Sequence, residues 1–225
     1  MRYTHIKQGR FISRENRFIA HIEIDGKIEV CHVKTTGRCR ELFVPGATVW
    51  VDENMNPQRK TKYDLVTVQK GEMLVNVDSQ APNLLFEEWA LGGGIKGLDM
   101  LKRECRYKGS RFDFMLMRNG MPMYLEVKGV TLEENNAAIF PDAPTERGLK
   151  HTCELMDARE NGYRCALFFA VQMKGISYFT PNRLTQPAFA SALAKAGRSG
   201  VEIMAYDCIV YPDSIVIDSP VEVRL

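Results

Sequence analysis

The segment that decides the fold is SRFDFMLMRNGMPMYLEVKG, residues 110–129, in which two alternating runs flank the dipeptide Asn119-Gly120. Asn-Gly between alternating runs is the strongest short signal for a β-hairpin, and it favours a two-residue loop. Such a loop fixes the register of the two strands and places Asp113 directly opposite Glu126. The sequence therefore predicts two carboxylates that face each other on one side of a hairpin.

Basic residues share the face of these two carboxylates. Lys128 follows Glu126 by two positions and so lies on the same face, and in the predicted register Arg111 is its cross-strand partner. The opposite face is predicted to be the core side, and it carries Phe112, Phe114, Leu125 and Val127.

Two carboxylates opposite each other on a sheet repel by about 0.2–1 kcal/mol when exposed, and by more when desolvated. A divalent cation offsets this repulsion, because Mg²⁺ prefers one or two carboxylates together with water and phosphate oxygens. The Lys128 ammonium would then position a water or stabilise charge on a phosphate. The pattern Asp113 with Glu126-x-Lys128 is thus typical of metal-assisted phosphodiester hydrolysis. The same residues also suit a solvated face with weak diagonal ion pairs, and the spacing leaves that alternative open.

Two helices are predicted to add residues to such a site. Glu88, on the helix after Ala81-Pro82-Asn83, would supply a third carboxylate or would simply face solvent. In the helix predicted for residues 144–161, one stripe contains Arg147, Lys150, His151 and Glu154, and the packing face contains Leu149, Thr152, Cys153 and Met156. The stripe would hold a phosphate backbone if it lay near a metal, and otherwise it is an ordinary wetted helix face.

The rest of the chain divides into two parts. Residues 1–80 contain five or so short strands and no helical pattern, which is typical of a small OB-type barrel. At Asn83, a predicted N-cap, the periodicity becomes helical, and strands alternate with helices from there onward. The sequence predicts an α+β or α/β protein with an OB-like barrel at 1–80 and a mixed sheet flanked by helices at 81–225.

Composition excludes several classes of protein. The hydrophobic share of 45% and the charged share of 26% are ordinary globular values, which excludes disordered and collagen-like chains. The net charge of +2 gives no global basic field, so a site for a polyanion must come from local clustering. The sequence has no apolar run of about 18 residues and no secretion signal near its start, so we expect a cytoplasmic protein that binds no membrane and has reduced cysteines.

With these residues in place, the chain resembles the sugar fermentation stimulation protein A (SfsA) family along essentially its whole length. The resemblance is carried by Val44-Pro45-Gly46, Arg59-Lys60, Ala81-Pro82-Asn83, SRFDF at 110–114, YLEVKGVTL at 124–132 and FPDAPTERGLKH at 140–151. The chain departs from the family at Thr35-Thr36-Gly37, where an Asn-Thr-Gly turn is usual, and at Gly129, where a Ser is common.

The resemblance implies an N-terminal OB-like domain followed by a domain similar to the PD-(D/E)XK nucleases. It also implies DNA binding and a regulatory role in sugar (maltose) metabolism. By position, Asp113, Glu126 and Lys128 match the nuclease signature, and Glu88 matches its helical acid.

Two functions are compatible with these residues. The first is a nuclease that depends on Mg²⁺ or Mn²⁺. Its predicted metal ligands are Asp113 and Glu126, Lys128 would position water, and Glu88 would assist. The residues predicted to bind phosphates are Arg111, Arg147, Lys150 and His151. The second is a non-catalytic DNA-binding regulator built on the same scaffold. A homodimer would suit the nuclease, because cutting both strands of a duplex calls for two hairpin sites.

Overall fold

In a computed structural model of the protein, which describes residues 1–35 and 37–225, the first six strands form one sheet. These strands are β1 (Ile6–Asn16), β2 (Ile19–Ile24), β3 (Lys27–Val33), β4 (Thr48–Glu53), β5 (Tyr63–Lys70) and β6 (Met73–Asn76). Thr36, in the turn where the sequence departs from the SfsA pattern, lies outside the described residues.

The barrel closes through a parallel pairing between β3 and β5. Strand β1 pairs with both β2 and β4, and residues 31–33 of β3 lie beside residues 63–65 of β5, which completes a ring of five strands. Side chains alternate between the interior and the solvent, and the buried set includes Ala20, Ile22, Cys31, Val33, Val49 and Val51. The predicted OB-like barrel is confirmed.

The second part of the chain begins with a helix and builds a mixed sheet. Its elements are α1 (Ala81–Trp89), a π-helical turn (Ala90–Gly94), β7 (Leu98–Tyr107), β8 (Ser110–Arg118), β9 (Met121–Val130), β10 (Leu132–Glu134), β11 (Ala137–Phe140), α2 (Glu146–Glu160), β12 (Arg164–Val171), β13 (Tyr178–Pro181), α3 (Pro187–Arg198), β14 (Glu202–Tyr211), β15 (Ser214–Pro220) and β16 (Glu222–Val223). The main sheet has the order β15-β14-β12-β9-β8-β7, and β9, β12 and β14 run parallel at its centre. A small second sheet has the order β10-β11-β13-β16.

Helices cover both faces of the main sheet. On one face, Phe86 of α1 packs against Phe114 and Phe168, with ring centroids 4.9 Å apart in both pairs. On the other face, α2 and α3 pack over Leu167 and Phe169, which belong to a separate hydrophobic cluster. This arrangement confirms the predicted mixed sheet flanked by helices. In the described part of the chain, no helix combines the length and apolar character needed to cross a membrane.

Three local predictions were wrong. Asn83 is not an N-cap, because α1 already begins at Ala81 and Asn83 lies in its first turn. In α2, Cys153 is exposed although it was assigned to the packing face, whereas His151 is buried. Phe112 does not share a side of the sheet with Phe114, because its ring packs against Tyr124 and His151 on the α2 side.

A buried polar network joins the barrel to the mixed sheet. The hydroxyl of Tyr3 accepts a hydrogen bond from Asn76 Nδ2 (2.9 Å) and donates one to Asp78 Oδ2 (3.3 Å). Gln172, at the end of β12, donates to the Asn76 carbonyl (3.1 Å), to Asn76 Oδ1 (2.8 Å) and to the Asp78 carbonyl (3.1 Å). The predicted boundary between residues 80 and 81 therefore follows directly after residues 76–78, which are hydrogen-bonded both to Tyr3 and to Gln172 of the mixed sheet.

Replacing Tyr3 by Phe should test the importance of this network. The variant leaves Asn76 Nδ2 without its acceptor in the protein interior, so we expect Y3F to lower the free energy of unfolding by about 1–3 kcal/mol. Urea denaturation measures this quantity, and Y211F is the matched control because Tyr211 is 55% exposed. Equal stability of Y3F and Y211F would contradict a structural role for the network.

Candidate functional site

The hairpin forms in the predicted register. Asn119 (φ 51°) and Gly120 (φ 71°) both adopt left-handed conformations, as a two-residue type I′ turn requires. Arg118 pairs with Met121 and Phe114 pairs with Leu125, so Asp113 and Glu126 are the next residues in the same register.

At Asp113 and Glu126, hydrogen bonds between backbone and side chains replace the backbone–backbone hydrogen bonds that join β8 to β9. The backbone N–H of Asp113 donates to Glu126 Oε2 (3.3 Å), and the backbone N–H of Val127 donates to Asp113 Oδ2 (2.9 Å). Each carboxylate therefore binds the backbone beside the other, which brings the two acidic groups together. Because the regular ladder ends at Phe114, strict alternation ends there as well, which explains why Phe112 lies on the other side of the sheet.

Glu126 is buried among cationic and hydrogen-bonding partners. It is 2% exposed, and its Oε1 accepts hydrogen bonds from Lys128 Nζ (2.5 Å) and from the Nδ1–H of the buried His151. Burial alone acts to raise the pKa of the Glu126 carboxyl, but the hydrogen bond from His151 and the charge of Lys128 outweigh it and lower the pKa below its ordinary value. Glu126 is thus ionised and well compensated.

Asp113 has weaker partners. Besides Val127 N–H, it accepts a hydrogen bond from the amide of Asn83 on α1 (Nδ2 to Oδ1, 3.1 Å). Burial raises the pKa of the Asp113 carboxyl above its ordinary value, and the neighbouring charge of Glu126 raises it further. The two carboxylates therefore share one site with unequal compensation, and the deficit of positive charge lies at Asp113.

A shallow pocket beside the carboxylates collects the four residues that were predicted to bind phosphates. We name it the basic pocket, and its lining residues include Arg111, Arg147, Lys150 and His151. Arg111 and Lys150 also reach the acidic residues Glu104 (3.2 Å) and Glu154 (3.8 Å). His151 differs from the other three, because it is buried and its Nδ1 is committed to Glu126.

The structure does not bring Glu88 to the two carboxylates. Its side chain is 57% exposed and accepts a hydrogen bond from the amino group of Met1 at 2.6 Å. The α1 residue that reaches Asp113 is Asn83, which the sequence analysis assigned to capping. The spacing Ala81-Pro82-Asn83 gave no signal for this contact, since it depends on how α1 packs against β9.

The donor set fits a hard divalent cation that retains water. Within residues 1–35 and 37–225, no group of three His, Cys, Asp or Glu side chains is close enough to hold a metal on its own. Asp113 and Glu126 would supply two carboxylates, which is the number that Mg²⁺ commonly takes from protein when phosphate and water complete its shell. The geometry favours a cation here, because the Asp113 carboxylate accepts hydrogen bonds from the Asn83 amide and the Val127 N–H but has no ion pair among the described residues.

The charge imbalance predicts opposite effects of two isosteric substitutions. Asp113→Asn removes the poorly compensated charge, and Asn83 can turn its amide to accept from the new one, so we expect D113N to raise the melting temperature at neutral pH. Glu126→Gln weakens the bonds from both Lys128 and His151, so we expect E126Q to lose about 1–3 kcal/mol of stability.

The advantage of D113N should also depend on pH. Because the pKa of Asp113 is raised on folding, the carboxyl destabilises the fold above that pKa and costs nothing below the ordinary carboxyl pKa. The difference between D113N and the unmodified protein should therefore shrink as the pH falls through the acidic range. Thermal melts at several pH values measure it, and a D113N melting temperature below that of the unmodified protein at neutral pH would contradict the imbalance.

Family models and sequence relatives of the chain all point to one protein family. Residues 12–77 match the model of the SfsA N-terminal OB domain, and residues 80–214 match that of the sugar fermentation stimulation protein RE domain. The chain is 52% identical to the sugar fermentation stimulation protein homolog of Ruminiclostridium cellulolyticum over 100% of both chains. It is 53% identical to the homolog of Desulfitobacterium hafniense strain DCB-2 over 100% of this chain and 99% of the relative.

A solved structure is similar over the whole length of the chain. The structure of Pyrococcus furiosus SfsA in complex with Ca²⁺ superposes with a TM-score of 0.90 at 27% identity, covering 100% of this chain and 98% of that chain. The barrel, the mixed sheet and the sequence relatives all agree, and the chain belongs to the SfsA family.

Proposed function

We propose that the protein is a DNA-binding nuclease that hydrolyses phosphodiester bonds with the help of a divalent cation, Mg²⁺ or Mn²⁺. The observation that carries the proposal is the pair formed by half-buried Asp113 and buried Glu126, in which each carboxylate accepts a hydrogen bond from the backbone beside the other and Lys128 is bonded to Glu126. The Ca²⁺ bound by Pyrococcus furiosus SfsA supports a site for a divalent cation in this family.

Each residue has a role that follows from its contacts. Asp113 and Glu126 would hold the cation, which would supply Lewis-acid stabilisation of phosphate oxygens. The Lys128 ammonium is only 14% exposed and is bonded to Glu126. It could orient a water or stabilise the negative charge that develops on the phosphate. His151 holds Glu126 in position from α2. A contribution from Glu88 remains a prediction, as does a homodimer.

The basic pocket would bind the nucleic acid backbone. Arg111 and Lys150 have exposed side chains (59% each), and with Arg147 they bring three basic side chains to one pocket. A bound phosphate backbone would compete with Glu104 and Glu154 for Arg111 and Lys150. Phosphate contacts of this kind position the polymer without reading its sequence. The N-terminal end of α2, whose dipole favours anions, lies at the same pocket through Glu146 and Arg147.

A second candidate function is a DNA-binding regulator of sugar metabolism genes without turnover. The observation that favours it is the compensation of Glu126 by Lys128 and His151, which lets the carboxylate remain ionised without a metal. Binding to DNA is common to both functions, and only hydrolysis separates them.

Lys128→Ala should separate the two functions. Without the ammonium we expect cleavage of DNA or RNA in Mg²⁺ or Mn²⁺ to be lost, while binding stays nearly intact because the basic pocket is unchanged. The matched control is K174A, since Lys174 is likewise paired with acidic side chains (Asp207, 2.9 Å; Asp218, 2.5 Å) but lies outside the site. Equal cleavage by K128A and the unmodified protein would indicate a contaminant and support the regulator.

The double substitution Arg147→Ala, Lys150→Ala should weaken nucleic acid binding about equally for all sequences. We expect the slope of log affinity against log salt to fall by about one for each charge removed. The control is K195A with R198A, which removes the same two charges at the same spacing from the exposed end of α3. If the salt slope is unchanged in the α2 variant, α2 does not contact the backbone.

A further inference from the structure

A second pocket lies between residues of the barrel and residues of the mixed sheet, and we name it the cleft pocket. Its volume is about 300 Å³, and its walls come from Thr35 and Gly37, from Gly129 near the end of β9, and from residues 139–145 before α2. Gly129 directly follows Lys128. Thr145 of the cleft pocket directly precedes Glu146 of the basic pocket, so the two pockets meet at the beginning of α2.

The cleft pocket contains a hydrogen-bond acceptor that the fold holds rigidly. Gln172 is 1% exposed, and its Nε2 is fixed by three hydrogen bonds to Asn76 and Asp78. Its Oε1 has no hydrogen-bond partner in the described part of the chain, and it lies so close to Gly129 that an added Cβ there would be 2.4 Å away. Because Gln172 lines the cleft pocket, this acceptor is available to a hydrogen-bond donor from a ligand.

The remaining walls combine an apolar surface with one exposed cationic residue. Phe140 and Pro141 supply the apolar part, and Arg17 is the cationic residue among those that line the pocket. Asp142 is also in the wall, but its Oδ2 already accepts a hydrogen bond from the backbone N–H of Cys39 at 2.9 Å. A flat group with a donor edge and an attached anion matches this lining, and a nucleotide has all three features.

The cleft pocket can admit an unpaired base but not a base that is paired and stacked in a duplex. Its volume of about 300 Å³ is at the lower end of the range for ligand sites, about 300–1,000 Å³. A paired base is held in the stack between its neighbours, so it cannot enter a pocket that encloses a single base. Enzymes that act on a single nucleotide accept it from single strands or extrude it from a duplex into a pocket of this kind.

We propose that the cleft pocket binds one unpaired nucleotide next to the phosphate held at Asp113 and Glu126, so that the substrate is single-stranded nucleic acid or a duplex with an unpaired end. This inference rests on the proposed function, in which the backbone of a nucleic acid occupies the basic pocket. In this arrangement, Arg17 binds a phosphate on the barrel side and Gln172 Oε1 accepts a hydrogen bond from the base.

The experiment compares three labelled oligonucleotides of one sequence: a single strand, a blunt duplex, and a duplex with an unpaired tail. Binding is measured by fluorescence anisotropy without added metal, and cleavage is measured with Mg²⁺ or Mn²⁺. We expect the single strand and the tailed duplex to bind at least about tenfold more tightly than the blunt duplex. Where cleavage occurs, it should follow the same order.

Ala143→Trp tests the pocket itself, because Ala143 lines it and makes no side-chain hydrogen bond that the substitution would remove. We expect A143W to lose the tenfold preference while its affinity for blunt duplex is unchanged. The control is A188W, at an exposed Ala of α3 outside the pocket. If A143W fails to fold, as judged by circular dichroism, A143L fills the pocket less severely and should show the same loss in part.

The outcomes separate this inference from the proposed function. Equal affinity of the unmodified protein for single strand and blunt duplex, or an undiminished preference in A143W, would overturn the pocket while leaving hydrolysis standing. Loss of the preference in A143W but not in A188W would support the pocket even if no polymer is cleaved, and in that case the nuclease proposal alone would fail.

Discussion

The site depends on the pairing of Asp113 and Glu126, two acidic residues that the hairpin places opposite each other. The two-residue turn at Asn119-Gly120 fixes the register, and the side chains then bind each other's backbone at the point where the ladder ends. The surrounding elements supply what the pair lacks. Helix α1 contributes an amide through Asn83, α2 contributes His151, and β9 contributes Lys128.

The two carboxylates receive unequal numbers of hydrogen bonds and positive charges from these elements. Glu126 has two strong donors on one oxygen, and the pKa of its carboxyl is lowered despite burial, whereas the pKa of Asp113 is raised by burial and by Glu126. An arrangement that leaves a buried charge poorly compensated reduces stability, and such losses are common where a site is organised for a ligand. In the proposed function, a cation at Asp113 would offset this energetic cost, so stability and function would be opposed at this residue.

The sequence predicted most reliably what is encoded locally. The hairpin register follows from one dipeptide and an alternating pattern, and the barrel follows from closely spaced strands with turn signals between them. The role of His151 could not be predicted, because the stripe it shares with Arg147 and Lys150 does not reveal where the buried face of α2 begins. Asn83 and Phe112 were assigned wrongly because their contacts depend on how α1 packs and on where the β8–β9 ladder ends. The cleft pocket has walls from segments about 100 residues apart, such as Gly37 and Asp142, so no local pattern could indicate it.

The most direct test of the central claim is the stoichiometry of Mn²⁺ bound to the purified protein, measured by electron paramagnetic resonance. The account predicts a Mn²⁺ site that is lost in D113N and retained in D157N, since Asp157 is paired with Lys108 and Tyr107 away from the two carboxylates. Undiminished Mn²⁺ binding by D113N, or none by the unmodified protein, would contradict a cation held by Asp113 and Glu126.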